Sequence, residues 1–542
     1  MAEPDYDVIQ IGYGPVSATL ALMLGRQGRS VAVCERWSKR YPLPRAVCVD
    51  HELYRVLAAN GMGDVLPRVT QKGPLYQWFN ADWRELLVID WSAPSISGGP
   101  EVNFVHQPTL EEALDEAVGA LPTVDLHLGW EVTAVDQDDD RARVHLRHGD
   151  TGEVKDLSAR YVVGCDGANS RVREAIGGDR EDRGFEADWL VIDVLLKEGV
   201  TIEGLGIPAA GQYCNPARPT TIVPAGVREG RTFRRWEFMR LPGERVEDLE
   251  REERVWELLR PWAGPDDIEL VRHKVYNFRS LLAERWRERR LLIAGDAAHV
   301  MPPFMGQGMC SGMRDAWNLA WKLGLILDGK ADDRLLDTYQ PERLPHVGQI
   351  TDMSIYLGKM ICLPDAEAAA ARDAEFLGGT AEPPPPFPSM VDGLLRRDRD
   401  GTVVVGAGLL SPHVDVLREG RRARLDQVTG GGFVVITRGF DAEAVLESEA
   451  ADTLAAFGAQ FVTLGDGENG VRDLDGRLDD FLTAQGWAAM IVRPDYYVYG
   501  GVAAGDELPA LVDDLLADLA AAGVAVRTVS RNEETWREAR AV

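Results

Sequence analysis

The stretch Asp7-Val8-Ile9-Gln10-Ile11-Gly12-Tyr13-Gly14-Pro15-Val16-Ser17 decides the fold of this chain. A short apolar strand runs into a glycine turn, and an apolar-rich helix over 17–27 follows. A second apolar strand, Ser30-Val31-Ala32-Val33-Cys34-Glu35, comes at once. Strand, turn, helix and strand at this spacing form a β-α-β unit. The first glycine permits the tight turn. The second lets the backbone approach a pyrophosphate, whose charge the helix N-terminus favours. Ser17 takes the third position, small enough for close helix–strand packing. Glu35 ends the second strand about twenty residues on, where an acid accepts hydrogen bonds from adenosine ribose hydroxyls. The expectation is one tightly held dinucleotide.

Outward from this unit, 106–119 reads as a helix, and 124–128, 143–146 and 160–165 read as strands. Residues 185–280 are richer in β patterning, which suggests an antiparallel sheet inserted between two halves of a nucleotide domain. The α/β pattern returns at Arg290-Leu291-Leu292-Ile293-Ala294-Gly295-Asp296, before a long helix expected over 311–327. Pro383-Pro384-Pro385-Pro386 marks a stiff linker, because proline supplies no N–H to a helix or sheet. Beyond it, 396–542 reads as a separate small α/β domain with strands at 432–436, 460–464 and 488–492 and a helix at 508–522. Gly406-Ala407-Gly408 is not a second dinucleotide turn, since Pro412 falls where the helix would run. The chain shows no fixed-period repeat.

Two further segments follow apolar strands and end in turns: Cys165-Asp166-Gly167-Ala168-Asn169-Ser170-Arg171-Val172-Arg173 and Ala294-Gly295-Asp296-Ala297-Ala298-His299. The second continues as Met301-Pro302-Pro303-Phe304-Met305-Gly306-Gln307-Gly308. A Gly-x-Gly at a helix start presents unpaired N–H groups that stabilise negative charge.

In this order and spacing, residues 5–365 resemble the class A flavoprotein aromatic hydroxylases, in particular the bacterial 3-(3-hydroxyphenyl)propionate hydroxylases. The likeness rests on Pro44-Arg45-Ala46, Gln107-Pro108, Gly306-Gln307-Gly308, Ser311-Gly312-Met313-Arg314-Asp315-Ala316, Asn318-Leu319-Ala320-Trp321-Lys322-Leu323 and Asp337-Thr338-Tyr339-Gln340-Pro341-Glu342-Arg343. It implies an α/β fold: a Rossmann-type FAD-binding domain over 1–180 and 281–365, and an inserted antiparallel-sheet substrate domain over 181–280. A Pro-rich linker over 366–395 and a thioredoxin-like C-terminal domain over 396–542, around Arg493-Pro494-Asp495, complete it. It implies FAD in the Gly12 site, with Arg45, Gln107 and Asp296 in contact. NADH or NADPH is then a transient electron donor and O2 the co-substrate, activated at the flavin C4a position for attack by a phenolic ring carbon. The residues expected at the cofactor are Gly12, Gly14, Pro15, Ser17, Glu35, Arg36, Arg45, Gln107, Asp166, Gly295, Asp296, Pro303, Gly306, Gly308 and Met309. Asp296 is suited to a ribityl hydroxyl, and the Gly306–Gly308 N–H groups to the flavin N1–C2=O edge.

Met309-Cys310 and Phe304-Met305 depart from the family's character at positions facing the ring cavity. A methionine-lined wall fills irregular space and suits a bulkier ring. The base that activates the phenol is not identified; Tyr213, Arg218 and His299 are the candidates. Trp78 and Trp236 read as sheet packing. A tailoring monooxygenase of polycyclic or macrocyclic products, a flavoprotein oxidase or dehydrogenase, and a non-catalytic FAD protein stay open as alternatives. So do catabolic versus biosynthetic role and homodimer formation.

Composition sets the outer limits. The chain has 542 residues, 45% hydrophobic, enough for two or three cores. Its formal net charge of -28 repels nucleic acid and anionic membranes, so any carboxylate recognition depends on local arginines. Six scattered cysteines without a C-x-x-C pair exclude a disulfide frame and a zinc site. Neither a signal peptide nor an apolar span is evident, so a cytoplasmic enzyme is expected.

Overall fold

The computed structural model describes residues 3–40, 42–465, 470–528 and 537–538. Its first sheet has the strand order Arg287–Glu288, Leu291–Ile293, Val154–Gly164, Tyr6–Ile11, Val31–Glu35, Val124–Leu128, with the hairpin Trp130–Gln137 and Ala142–His148 attached. Tyr6–Ile11 pairs in parallel with both Val154–Gly164 and Val31–Glu35, and Val154–Gly164 pairs in parallel with Leu291–Ile293. Helices cover these strands, so their residues are apolar without alternation; Val8, Ile9, Val162, Val163, Leu292 and Ile293 are all buried. Parallel pairing brings Gly12, Glu35, Cys165 and Ala294 out at one edge of the sheet. Open α/β sheets bind their ligands at that edge.

The second sheet runs His299–Val300, Ile268–Ala283, Arg180–Leu196, Arg231–Met239, Thr220–Arg228, Ala210–Tyr213, Leu75–Phe79, Glu85–Asp90. The sheet expected within 181–280 therefore also takes in two strands from 75–90. Leu75–Phe79 joins parallel to Ala210–Tyr213, a pairing between segments far apart in sequence that no local pattern reveals. Trp78 and Trp236 are buried in its packing, as read.

The third sheet is Arg421–Arg424, Asp415–Arg418, Gly470–Asp473, Gln460–Leu464, Val434–Arg438, Ala489–Val492, Val498–Val502. Val434–Arg438 pairs in parallel with Gln460–Leu464 and antiparallel with Ala489–Val492, and helices Arg477–Gln485 and Leu508–Ala521 accompany the sheet. This is the expected C-terminal α/β unit, with a cluster of its own around Val434, Ile436, Trp487 and Val498, but its core is not wholly separate. One apolar cluster runs from Val8 and Leu20 through Trp317 and Trp321 to Phe433, Tyr496 and Leu511.

Two local expectations differ. The segment 366–395 begins with a helix, Ala366–Leu377, whose alanines favour it and whose N-cap Asp365 accepts from the Ala368 N–H at 2.8 Å. Only beyond Gly378, through the prolines, does the chain run without regular structure. The long helix starts at Gly308 rather than 311, because Gly306 at φ +65° already makes the turn. Gly406 and Gly408 lie in a turn that opens no helix, as expected.

Candidate active site

Two helix N-termini face one another across the sheet edge. Pro15–Arg26 has Gly14 as N-cap and Gly308–Leu327 has Gln307, and neither carries a side-chain cap. They meet closely. A Cβ on Gly312 would lie 2.6 Å from Val16 Cγ2 and 2.9 Å from the Gly295 Cα, and one on Gly295 would lie 3.1 Å from Val16. The glycine turn and the Asp296 loop thus close on one cavity of about 940 Å³.

Gly12, Gly14, Pro15, Glu35, Arg36, Arg45, Gln107, Asp166, Asp296, Pro303, Gly306, Gly308 and Met309 all line it. Gly12 sits at φ +90°, and a Cβ there would lie 2.5 Å from the Cys165 carbonyl oxygen. Gly14 has open space where its Cβ would be. Glu35 accepts the Tyr13 and Trp37 N–H groups at 2.8 and 2.9 Å, which fixes its carboxylate at the strand end. Gln107 does not simply face the cavity. Its Oε1 accepts the Arg45 and Ala46 N–H groups, and its Nε2 donates to Glu111, so it clamps the Pro44-Arg45-Ala46 loop.

Two expected cofactor residues do not line the cavity. Ser17 is fully buried, paired with the Gln10 side chain at 2.7 Å. Its position in the turn motif packs the helix on the strand. Gly295 is packed behind Asp296 against Val16, where only a glycine allows the approach.

The three catalytic candidates also lie elsewhere. Tyr213 stacks on Trp83 at 4.4 Å and donates to the Ala81 carbonyl at 3.0 Å. Arg218 is held by both oxygens of Glu244 and by the Met239 carbonyl. His299 points behind the cofactor loop and bonds Asp315 at 2.6 Å. Asp315 also accepts the Gly295 N–H at 3.0 Å and Arg343 Nε at 2.8 Å, so His299 helps fix the Asp296 turn. Place on the inserted β region suggested Tyr213 and Arg218, and nearness to Asp296 suggested His299; their ion pairs and hydrogen bonds aim them away from the cavity.

FAD fits this cradle. Asp166 accepts the Arg171 N–H through one carboxylate oxygen, while its other oxygen is buried without a protein partner. Asp296 is surrounded by protein yet exposed towards the cavity, and burial raises its pKa against the pull of His299 and Arg45. Uncapped helix N-termini and acceptor carboxylates in one cavity match a diphosphate and hydroxylated chains.

Beyond the cofactor loops the cavity continues between the two sheets. Tyr76 stacks on Trp91 at 4.0 Å, and Trp91 tilts against Phe104 at 5.8 Å. Phe304 and Met305 line the cavity as well, with Phe304 edge-on to Phe185, Trp189 and Phe278. The floor is the second sheet, where Gln212, Thr221, Val223, Arg235 and Glu237 line the cavity. Thr221 Oγ1 donates to Gln212 Oε1 at 2.6 Å, and Gln212 Nε2 donates to the Tyr76 hydroxyl at 2.9 Å. Arg235 donates to Asp193 at 2.7 Å and to the Arg45 and Pro44 carbonyls at 2.6 and 3.2 Å. Asp50, at the cavity edge, is bonded by Arg314, which also holds Glu52 and Gln307. The sequence reading missed this floor. Its one signal was the charged run Arg234-Arg235-Trp236-Glu237 inside a strand, since buried charge in a sheet calls for a purpose.

The FAD binding domain family matches residues 5–354, and the HcaD C-terminal domain family matches 406–518. A probable NADH-specific resorcinol 4-hydroxylase of Rhodococcus jostii (strain RHA1) is 39% identical over 523 residues, 95% of each chain. The 3-(3-hydroxy-phenyl)propionate/3-hydroxycinnamic acid hydroxylase of Escherichia coli (strain K12) is 32% identical over 514 residues, 90% of each chain. Among solved structures, aklavinone-11 hydroxylase with FAD and aklavinone superposes with a TM-score of 0.77 at 24% identity, covering 96% of this chain and 100% of that one. The flavin-dependent monooxygenase PieE, with FAD and substrate, gives 0.78 at 21% identity, covering 95% and 100%. These two establish the fold. With its cradle, its FAD-domain match and a relative 39% identical along nearly its whole length, this chain belongs to the class A FAD-dependent aromatic hydroxylases.

Proposed function

We propose that this enzyme hydroxylates a small, uncharged phenolic ring bearing a second hydroxyl, of the resorcinol type, with NADH as electron donor. The observation that carries this reading is the charge balance of the substrate end. Among the described residues, the cation on its floor is Arg235, and Asp193 and two backbone carbonyls engage its guanidinium. Of the other lining cations, Arg36, Lys39, Arg40 and Arg171 sit on the loops that follow Glu35 and Asp166, at the cofactor end, and Arg45, whose carbonyl Arg235 bonds, bears through its charge on Asp296 of the cofactor loop. Glu237 and Asp50 add negative charge beside the ring site. A substrate carboxylate would be desolvated there beside anions, which is costly. The Rhodococcus relative, a probable NADH-specific resorcinol 4-hydroxylase, supports the same substrate class and NADH. Six free thiols support a reducing, cytoplasmic setting.

The chemistry that bound FAD supplies is hydride acceptance from the nicotinamide and activation of oxygen. The chain's part is placement and exclusion of water. Tyr76, Trp91, Phe104, Phe304 and Met305 give the cavity apolar walls that hold a flat ring and keep the site dry. The Gln212–Thr221–Tyr76 bonds place polar atoms on the floor, where ring hydroxyls are bonded.

The test is NADH oxidation and incorporation of labelled oxygen with resorcinol and with 3-(3-hydroxyphenyl)propionate. Resorcinol should yield a labelled trihydroxybenzene. The carboxylate substrate should have a kcat/KM lower by about 100-fold or more, the size expected for one poorly compensated charge. Equal or better turnover of the carboxylate substrate overturns the proposal.

A further inference from the structure

We infer that Glu237 is the base that takes the proton from the substrate's ring hydroxyl, an assignment that rests on the phenolic reading above. Glu237 stands on Arg231–Met239, directly opposite Thr221, which is itself opposite Gln212. The three side chains form one row across the cavity floor, about 5 Å from strand to strand. The row ends at the Tyr76 hydroxyl, which Gln212 bonds.

Every other cavity carboxylate near the ring site has work to do. Asp50 accepts the Leu53 N–H at 3.0 Å and is bonded by Arg314, which holds its pKa down. Asp296 belongs to the cofactor loop. Glu237 is 8% exposed, lines the cavity, and has as its nearest charged neighbour the Arg235 guanidinium at 3.7 Å, beyond hydrogen-bond distance. Arg235 is in turn committed to Asp193. The carboxylate is therefore held among protein atoms while its acceptor capacity faces the cavity.

Its electrostatics suit the task. Burial raises the Glu237 pKa above the usual carboxylate range. Arg235 on its own strand opposes this, Asp193 on the adjoining strand adds to it, and Arg272 on Ile268–Ala283 opposes it. The Tyr76 hydroxyl on Leu75–Phe79 also faces it and is neutral, since burial raises the phenol's pKa. A carboxylate made more basic is a better acceptor for a phenolic proton. In the step, the O–H bond of the ring hydroxyl breaks and the proton goes to a Glu237 oxygen. The bond's electron pair stays on the phenolic oxygen and enriches the ortho and para carbons. The protein gains and loses no electrons.

The sign of the stability effect follows from the same shift. A carboxyl whose folded pKa is raised stabilises the fold below its unfolded pKa, and that contribution is lost as pH rises through the folded value. At neutral pH the Glu237 carboxylate therefore costs stability, and Glu237→Gln should melt at or above the wild-type temperature.

The experiment uses the FAD-loaded enzyme with resorcinol as the probe. Glu237→Gln should keep its FAD and lose about 100-fold in kcat. Binding of resorcinol to the oxidised enzyme, read from the flavin absorbance, should weaken in the wild type as pH falls through the raised pKa. That limb should vanish in Glu237→Gln and return in Glu237→Asp. Turnover of Glu237→Gln within threefold of wild type, a rise in KM with kcat unchanged, or persistence of the acid limb would each overturn the assignment. A wild-type enzyme that does not respond to resorcinol would instead sink the substrate reading.

Discussion

Replacing Arg493 by methionine is expected to destabilise the fold by about 3–5 kcal/mol, the cost of leaving a buried charge without its partner. Arg493 is fully buried and donates to Glu342 at 2.7 and 3.0 Å, to Asp495 at 2.7 and 2.9 Å, and to the Leu394 carbonyl at 2.8 Å. Glu342 also receives Lys322 Nζ and Asn318 Nδ2, each at 2.7 Å. Two cations and two carboxylates balance in a site without water access, and the loss of one guanidinium leaves an excess anion. In the wild type the Arg493 and Lys322 charges pull the Glu342 pKa down against burial; without Arg493 the larger pull is gone, and Glu342 is left either as a poorly compensated buried carboxylate or taking up a proton, and both cost stability. Chemical denaturation of the holoenzyme measures the loss. The double variant Arg493→Met, Glu342→Gln restores neutrality and should recover part of it. A single variant within 1 kcal/mol of wild type, by the scale expected of an exposed pair, would show that the cluster is not a structural bolt.

The second large effect is on the cofactor. Gly12→Ala is expected to weaken FAD binding by about 100-fold. A Cβ at Gly12 would lie 2.5 Å from the Cys165 carbonyl oxygen, on a backbone at φ +90°. Relieving that clash pushes the glycine turn away from the strand that leads to Asp166. Left-handed strain alone costs about 1–3 kcal/mol, and about 1.4 kcal/mol corresponds to tenfold in affinity. Gly14→Ala is the informative contrast. Its backbone is extended and nothing lies within 4 Å of the new Cβ, so the apoprotein should melt unchanged. The methyl group would occupy cavity space that the pyrophosphate needs, so FAD should still bind more weakly. Equilibrium titration with FAD and melting of the apoproteins separate the two effects. Retention of wild-type affinity in Gly12→Ala would mean that the turn does not set the cradle.

The cofactor end was legible because its chemistry is local. A glycine turn with the acid at the end of the next strand, and the Asp296 loop, each carry their meaning within about two dozen residues, and parallel pairing then gathers them. Ser17 and Gly295 were read as cofactor contacts; neither lines the cavity, and both lie where helix, strand and loop pack closely. Tyr213, Arg218 and His299 show the opposite limit. Residue type made them plausible, but partners distant in the chain, Ala81, Glu244 and Asp315, fix where they point.

The family-like runs at 318–322, 341–343 and 493–495 were legible as strings and not as a structure. Folding brings Asn318, Lys322, Glu342, Arg493 and Asp495 into one ion cluster that locks the C-terminal unit to the cofactor helix. Sequence by itself determined the β-α-β unit and the dinucleotide, since hydrophobic period and turn chemistry act over short stretches, and the resemblance to the aromatic hydroxylases implied that the dinucleotide is FAD. Only the tertiary structure decided the ring site. Its floor joins strands from 75–79, 210–213, 220–228 and 231–239, and whether Glu237 meets a ring or a counter-ion depends on pairings that no one segment encodes.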